Sequence, residues 1–209
     1  RIRGYCRAKD MTVTKRLIVG ISGASGVIYG VRLLQALADV QIESHLIMSK
    51  AAEVTLAYET DFKVADVHAL ADVVYAQQDI SAPPASGSFP TMGMIVAPCS
   101  VRSLSEIATS TTSNLLTRAA DVTLKDRRKL VLMLRETPLH TGHLKTMADV
   151  SERGAIIAPP MPAMYIRPKS IDDLIDHGVG RILDLFDIDA GLSSRWGVTV
   201  GPTHKAGKS

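Results

Sequence analysis

The residues from Arg16 to Gly30, RLIVGISGASGVIYG, place glycines at positions 20, 23 and 26 and hydroxyls at Ser22 and Ser25. An apolar run, Leu17 to Val19, leads into them, and an apolar-periodic segment starts at Val27. This order reads as strand, tight turn and helix N-terminus. Such a turn builds an anion site from backbone alone, because unpaired N–H groups and the positive end of the helix dipole face the same point. Glycine lets the chain approach a ligand closely, and the serines add hydroxyl donors. The same residues also fit a ligand-free turn that packs a helix on a sheet.

The spacing is Gly-x-x-Gly-x-x-Gly and not the Gly-x-Gly-x-x-Gly of a dinucleotide fold. A dinucleotide site also wants an acidic residue after the second strand, for the ribose hydroxyls, and here that strand (Ser44 to Met48) ends on Ser49-Lys50. No Gly-Lys-Ser/Thr follows the glycines, which excludes a P-loop.

The elements that must position this loop alternate along the chain. Expected strands are Leu17–Val19, Ser44–Met48, Met94–Ala97 (stopped by Pro98), Leu130–Leu134 and Ala155–Ala158. Helical patterns cover 27–38, 51–59, 64–71, 101–108, 112–124, 143–152 and 170–186, the last opened by Ser170-Ile-Asp-Asp173, which resembles a capping box. Near-continuous apolar strands alternating with helices predict a single α/β domain with a doubly wound parallel sheet. Ligands of such sheets bind beyond the carboxyl ends of the strands. There the sequence gathers Gly20–Gly26, Ser49, Cys99-Ser100, Arg135-Glu136 and Tyr165.

At 209 residues the chain has room for one substantial core, and its 46% hydrophobic content is that of a globular protein. No apolar run reaches the roughly 18 residues of a membrane span, so a cytoplasmic protein is expected. The formal charge of +3 arises at the ends: 1–10 carry three net positive charges and the last seven residues two more, leaving about −2 for 11–202. A basic nucleic-acid footprint is therefore absent, and no nucleic-acid partner is expected. Residues 1–14 are expected to form a disordered leader, 15–196 the domain, and 197–209 a polar tail. Cys6 and Cys99 show neither pairing nor metal spacing, and the six histidines make no metal motif, so no metal is expected.

With these residues in hand, the chain resembles the flavin prenyltransferases of the UbiX type, earlier described as aromatic-acid decarboxylases. The matching runs are Gly20-Ile-Ser-Gly-Ala-Ser-Gly26, Ser49-Lys-Ala-Ala52, Glu59-Thr-Asp61, Pro84-Ala-Ser-Gly-Ser88 and Ala97-Pro-Cys-Ser100. Further along come Arg118-Ala-Ala-Asp-Val122 with Leu124-Lys125, Arg135-Glu-Thr-Pro-Leu139, Pro159-x-x-Pro162 before Tyr165, Arg181, and Arg195-Trp196. The resemblance implies a flavodoxin-like homo-oligomer, often a dodecamer, with FMN bound between subunits. It implies joining of the dimethylallyl group of dimethylallyl monophosphate to N5 and C6 of reduced FMN, without a metal. The product would serve UbiD-type decarboxylases, including those of ubiquinone biosynthesis.

The resemblance places FMN against Gly23, Ala24, Ser25, Ser49, Ser100, Val101, Arg102, Ser103 and Arg135. Ser25 and Ser49 also fit as helix caps. Lys125, Arg135, Tyr165 and Arg181 are implied to cradle the departing phosphate, which suits three cations and a phenol. A solvated charged face is the competing reading, strongest for Lys125 within Lys125-Asp-Arg-Arg-Lys129. Glu136 is the implied acid/base and phosphate neighbour, Ser25 a proton relay, and Glu59 a second carboxylate that keeps the flavin network in register. Trp196 would offer π surface to prenyl group or flavin from a neighbouring subunit, or act as an ordinary interface anchor. Arg118 fits a subunit salt bridge or a phosphate contact equally well. Cys99, His140 and His143 receive no role.

Two other functions fit an FMN-binding fold. A decarboxylase of the phosphopantothenoylcysteine type would carry a Pro-Ala-Ser-Ala-Asn-like segment and a His near the first helix. This chain has Pro84-Ala-Ser-Gly-Ser88 and no His between Gly20 and Ile42. A non-catalytic FMN carrier would have no need of Lys125, Arg135, Glu136, Tyr165 and Arg181.

Overall fold

The computed structural model describes residues 15–201. The expected leader over 1–14 lies outside the described residues, and so does the expected tail 197–209 except for 197–201, which turn back on Arg195 through backbone hydrogen bonds. Within them, β1 (Arg16–Ile21), β2 (Glu43–Met48), β3 (Val73–Tyr75), β4 (Gly93–Cys99), β5 (Lys129–Leu134) and β6 (Ala155–Ile157) form one parallel sheet in the order β3-β2-β1-β4-β5-β6. The helices are α1 (Ile28–Asp39), α2 (Lys50–Glu59), α3 (Val64–Ala69), α4 (Val101–Ala108), α5 (Leu115–Lys125), α6 (Thr141–Glu152) and α7 (Ile171–Asp184). Without the edge strand β3, the order is that of the expected flavodoxin-like sheet.

Strand side chains alternate between two cores. Leu17, Val19, Ile21, Ile95, Ala97, Val131 and Met133 join one with α1, α3 and α7. Ile18, Met94, Val96, Leu130 and Leu132 join the other with α4, α5 and α6. Burial on both faces explains why the strands read as unbroken apolar runs. Every residue of β4, the central strand, is buried.

Four elements differ most from the sequence reading. The sheet has a sixth strand, β3, whose three residues are too short for alternation to reveal. β4 runs through Pro98, joined to Ala97 by a cis bond, to Cys99. A central strand tolerates a proline there because the β4–β5 register shifts between Val96 and Cys99, at an irregularity where no ladder donor is needed. α5 and α6 start at Leu115 and Thr141 because Asn114 and His140 cap them.

The switch point of the sheet lies between β1 and β4, where Val19 pairs with Ile95 and Gly20 with Val96. From there the chain proceeds outward to β2 and β3 on one side and to β5 and β6 on the other. The loops after β1 and β4 therefore diverge and leave a crevice between them.

Candidate functional site

Ser22 stitches the two crevice loops together. It is 1% exposed; its hydroxyl donates to the Pro98 carbonyl at 2.9 Å and accepts from the Ser100 N–H at 2.8 Å. Its hydroxyl is thus spent on structure, although the sequence reading counts it as a ligand donor. Above this staple opens a cleft of about 480 Å³ lined by Gly23–Ser25, Ser49–Ala51, Ser100–Ser103 and Arg135–Glu136. That volume lies in the roughly 300–1,000 Å³ range of small-molecule sites.

Each wall has a local cause. Gly23 abuts α2 so closely that an added Cβ would meet the Ala51 Cβ at 2.3 Å. Gly26, at φ 90°, turns the chain into α1 through a conformation that side chains disfavour. Ser100 caps α4, accepting from the Ser103 N–H at 3.2 Å, and Ser49 caps α2, accepting from the Ala52 N–H at 3.1 Å. The first N–H groups of a helix have no partner inside it. Accordingly the N–H groups of Gly23, Ser25, Val101 and Arg102 find no acceptor among the described residues. With the hydroxyls of Ser25, Ser49 and Ser103 and the guanidinium of Arg135, they form an anion-binding wall. A flavin mononucleotide fits this donor set: an anionic phosphate for the helix N-termini, and polar ring edges for the serines and Arg135.

Ser25 is not a helix cap. Val27 occupies that position without a side-chain bond, and the Glu59 carboxylate, from the end of α2, accepts the N–H groups of Gly26 at 2.8 Å and Val27 at 3.2 Å. Glu59 thus stands behind the loop and outside the cleft. Glu136 lines the cleft and accepts from the Thr137 N–H at 3.0 Å.

Of the expected residues, Gly23, Ala24, Ser25, Ser49, Ser100–Ser103, Arg135 and Glu136 come together in the cleft. Lys125, Tyr165, Arg181 and Trp196 do not. Lys125 ends α5, paired with Asp126 at 2.8 Å. Tyr165 and Trp196 line a separate depression, ring centroids 5.6 Å apart and nearly perpendicular. Arg181 lies on α7 and binds Asp184 at 2.8 Å, and the same carboxylate holds Arg195 at 3.0 Å. Arg118 spans Asp121 at 3.1 Å and the Ala85 carbonyl at 3.3 Å.

Cleft residues that the sequence reading omits are Lys50, Ala51, Gln77, Glu106 and Asn114. Glu106 accepts from Ser113 at 2.6 Å and from Arg102 at 2.9 Å. Burial pushes its pKa up, but these bonds and the Arg102 charge outweigh it and hold the carboxyl below its ordinary value. Asn114, a cap residue ahead of an apolar helical pattern, carried a usable signal. Gln77 carried none, since it follows the short edge strand. Cys99 is fully buried, and burial pushes its thiol up to about 12, which leaves it inert as a nucleophile. His140 caps α6 and stacks on His143 at 3.6 Å. Among the described residues, no group of three or more His, Cys, Asp or Glu is placed to hold a metal ion.

The Flavoprotein family model matches residues 6–194. The flavin prenyltransferase UbiX of Escherichia coli K12 is 60% identical over 185 residues, covering 87% of this chain and 98% of that protein. Among solved structures, AnUbiX (PadA1) in complex with FMN and dimethylallyl pyrophosphate superposes with a TM-score of 0.86 at 50% identity, covering 87% and 97% of the two chains. A dodecameric FMN-dependent UbiX-like decarboxylase from Escherichia coli O157:H7 follows, with a TM-score of 0.85 at 47% identity, covering 87% and 98%. The crevice at the switch point, its row of open donors and this kinship over nearly the whole domain have one meaning: the chain belongs to the flavin prenyltransferases of the Flavoprotein family.

Proposed function

We propose that this chain transfers the dimethylallyl group of dimethylallyl monophosphate to N5 and then C6 of reduced FMN, making a prenylated flavin for a UbiD-type decarboxylase. The observation that carries the reading is the cleft at the β1/β4 switch point, where open backbone donors and serine hydroxyls face Arg135 and Glu136. When bound, the reduced flavin supplies the electron-rich ring atoms that accept the allylic carbon.

The residues of this chain do the rest. Val101, Arg102 and the Ser100–Ser103 turn would hold the flavin phosphate; Gly23–Ser25, Ser49 and Arg135 would orient the ring. The allylic C–O bond breaks and its electron pair leaves with the phosphate. Glu136 then hands that phosphate a proton, and Ser25, whose hydroxyl finds no partner among the described residues, would relay the proton released at the flavin back to the Glu136 carboxylate. Lys125, Arg135, Tyr165 and Arg181 take up the phosphate charge. Since Lys125, Tyr165, Arg181 and Trp196 line surfaces apart from the cleft, the complete site needs a second copy of the chain. A homo-oligomer, as large as a dodecamer, is part of the proposal, as are residues 15–196 as the FMN-binding unit. The dodecameric relative and the relative bound to FMN and an allylic phosphate ester support this reading. A cytoplasmic location belongs to it too; among the described residues no helix is long and apolar enough to cross a membrane.

The test is anaerobic incubation of the protein with reduced FMN and dimethylallyl monophosphate, followed by addition of the flavin product to an apo UbiD-type decarboxylase. Decarboxylase activation is expected, and a parallel reaction with the pyrophosphate ester reads the choice of leaving group. FMN binding without any activation would remove the transferase reading and favour the carrier.

A further inference from the structure

Behind Tyr165 stands a histidine to which the mechanism above gives no part. His177, on α7, is 4% exposed and meets the Tyr165 ring edge-on, with centroids 5.5 Å apart. Both ring nitrogens are engaged: Nδ1 with the Ser194 N–H at 3.2 Å, and Nε2 with the Tyr165 hydroxyl oxygen at 2.9 Å.

A backbone N–H only donates, so Nδ1 must keep its lone pair. The neutral imidazole therefore carries its proton on Nε2 and gives it to the phenol oxygen. Burial, and then the nearby Arg181 charge, lower the His177 pKa against the smaller pull of Asp184, which keeps the ring in this neutral form. With its oxygen accepting from His177, the phenol turns its own hydrogen away from the imidazole. A hydroxyl that accepts one hydrogen bond also donates a stronger one. Trp196 meets the same ring nearly at right angles, with centroids 5.6 Å apart.

The geometry points to His177 as a positioning residue that makes Tyr165 a one-way donor, presenting its O–H to the phosphate of an alkyl monophosphate. This rests on the reading that Tyr165 meets the substrate phosphate. His177 touches no substrate; its effect passes through the phenol. The preference it builds is for an acceptor-rich anion and against any group that would itself donate to Tyr165.

The experiment compares wild type, Tyr165→Phe, His177→Asn, His177→Gln and the Tyr165→Phe/His177→Asn double variant as FMN-loaded oligomers. KM and kcat for dimethylallyl monophosphate and calorimetric affinity for inorganic phosphate are measured on each. Asparagine can still accept from Ser194 but falls short of the phenol, whereas glutamine can still donate to it. His177→Asn is expected to raise KM and weaken phosphate binding about three- to tenfold, with kcat changed less than about twofold. His177→Gln recovers most of the loss, and the double variant is no worse than Tyr165→Phe. Additive losses in the double variant, or equal behaviour of the Asn and Gln variants, overturn the inference. A wild-type enzyme that turns over beside an indistinguishable His177→Asn sinks the inference alone. Absent wild-type turnover counts against the transferase reading, and the phosphate affinities then still decide the His177–Tyr165 coupling.

Discussion

Glu59 and Glu136 stand on either side of one glycine loop and use the same functional group differently. Glu59 accepts two backbone N–H groups at the start of α1 and so neutralises that helix terminus from behind. Glu136 faces the cleft, where its only hydrogen bond among the described residues comes from the Thr137 N–H. Glu136→Gln is therefore expected to keep FMN and lose turnover by about a hundredfold or more, the usual scale of a lost acid/base, as read from anaerobic initial rates. Lys125→Ala should also keep FMN and lose turnover. Unchanged rates would remove either residue from the mechanism. Gly23→Ala behaves differently, because its Cβ has no space beside Ala51. It should destabilise the fold by about 1–3 kcal/mol and release FMN, both visible in a urea titration and in flavin absorbance of the purified protein.

At the scale of elements, Glu106 links α4 to the start of α5 by holding Arg102 on one side and Ser113 on the other. Its pKa is lower folded than unfolded, so the link stabilises above the ordinary carboxylate range and is lost as pH falls through the lowered value. Urea midpoints at neutral and at mildly acidic pH should differ less in Glu106→Gln than in wild type; an equal difference would deny the link. The sequence made the strand-to-helix turns legible, because a parallel sheet repeats one pattern and puts each functional loop at the same end. Ser100 and Arg135–Glu136 stand out that way and do line the cleft, whereas Val101–Ser103 come from the family resemblance. Ser22 and Gln77 are missed or misread because their roles arise from partners far off in the chain or across a short edge strand, and Glu106 because a carboxylate inside a helical pattern does not announce the loop serine it meets beyond the helix end. Pro98 misled for the same reason: a register irregularity, invisible in the local sequence, lets the central strand carry it.

At the scale of the whole molecule, the cleft and the Tyr165–Trp196 depression share no residue. On the proposed reading one site therefore draws on two chains. Mixing Glu136→Gln with Tyr165→Phe and allowing subunits to exchange should then restore part of the turnover that each lacks alone, because some sites receive both wild-type halves. Mixed oligomers as inactive as their parents would place both halves in one chain. The helix α5 gives this arrangement a dimension. Its cap, Asn114, lines the cleft, and its last residue, Lys125, faces another surface about 16 Å farther on, eleven residues at helical rise. On the proposed reading, a rigid rod with a cleft residue at one end and a phosphate cation at the other acts as a gauge. It sets the spacing between the cleft in its own chain and the neighbouring cleft to which it lends Lys125.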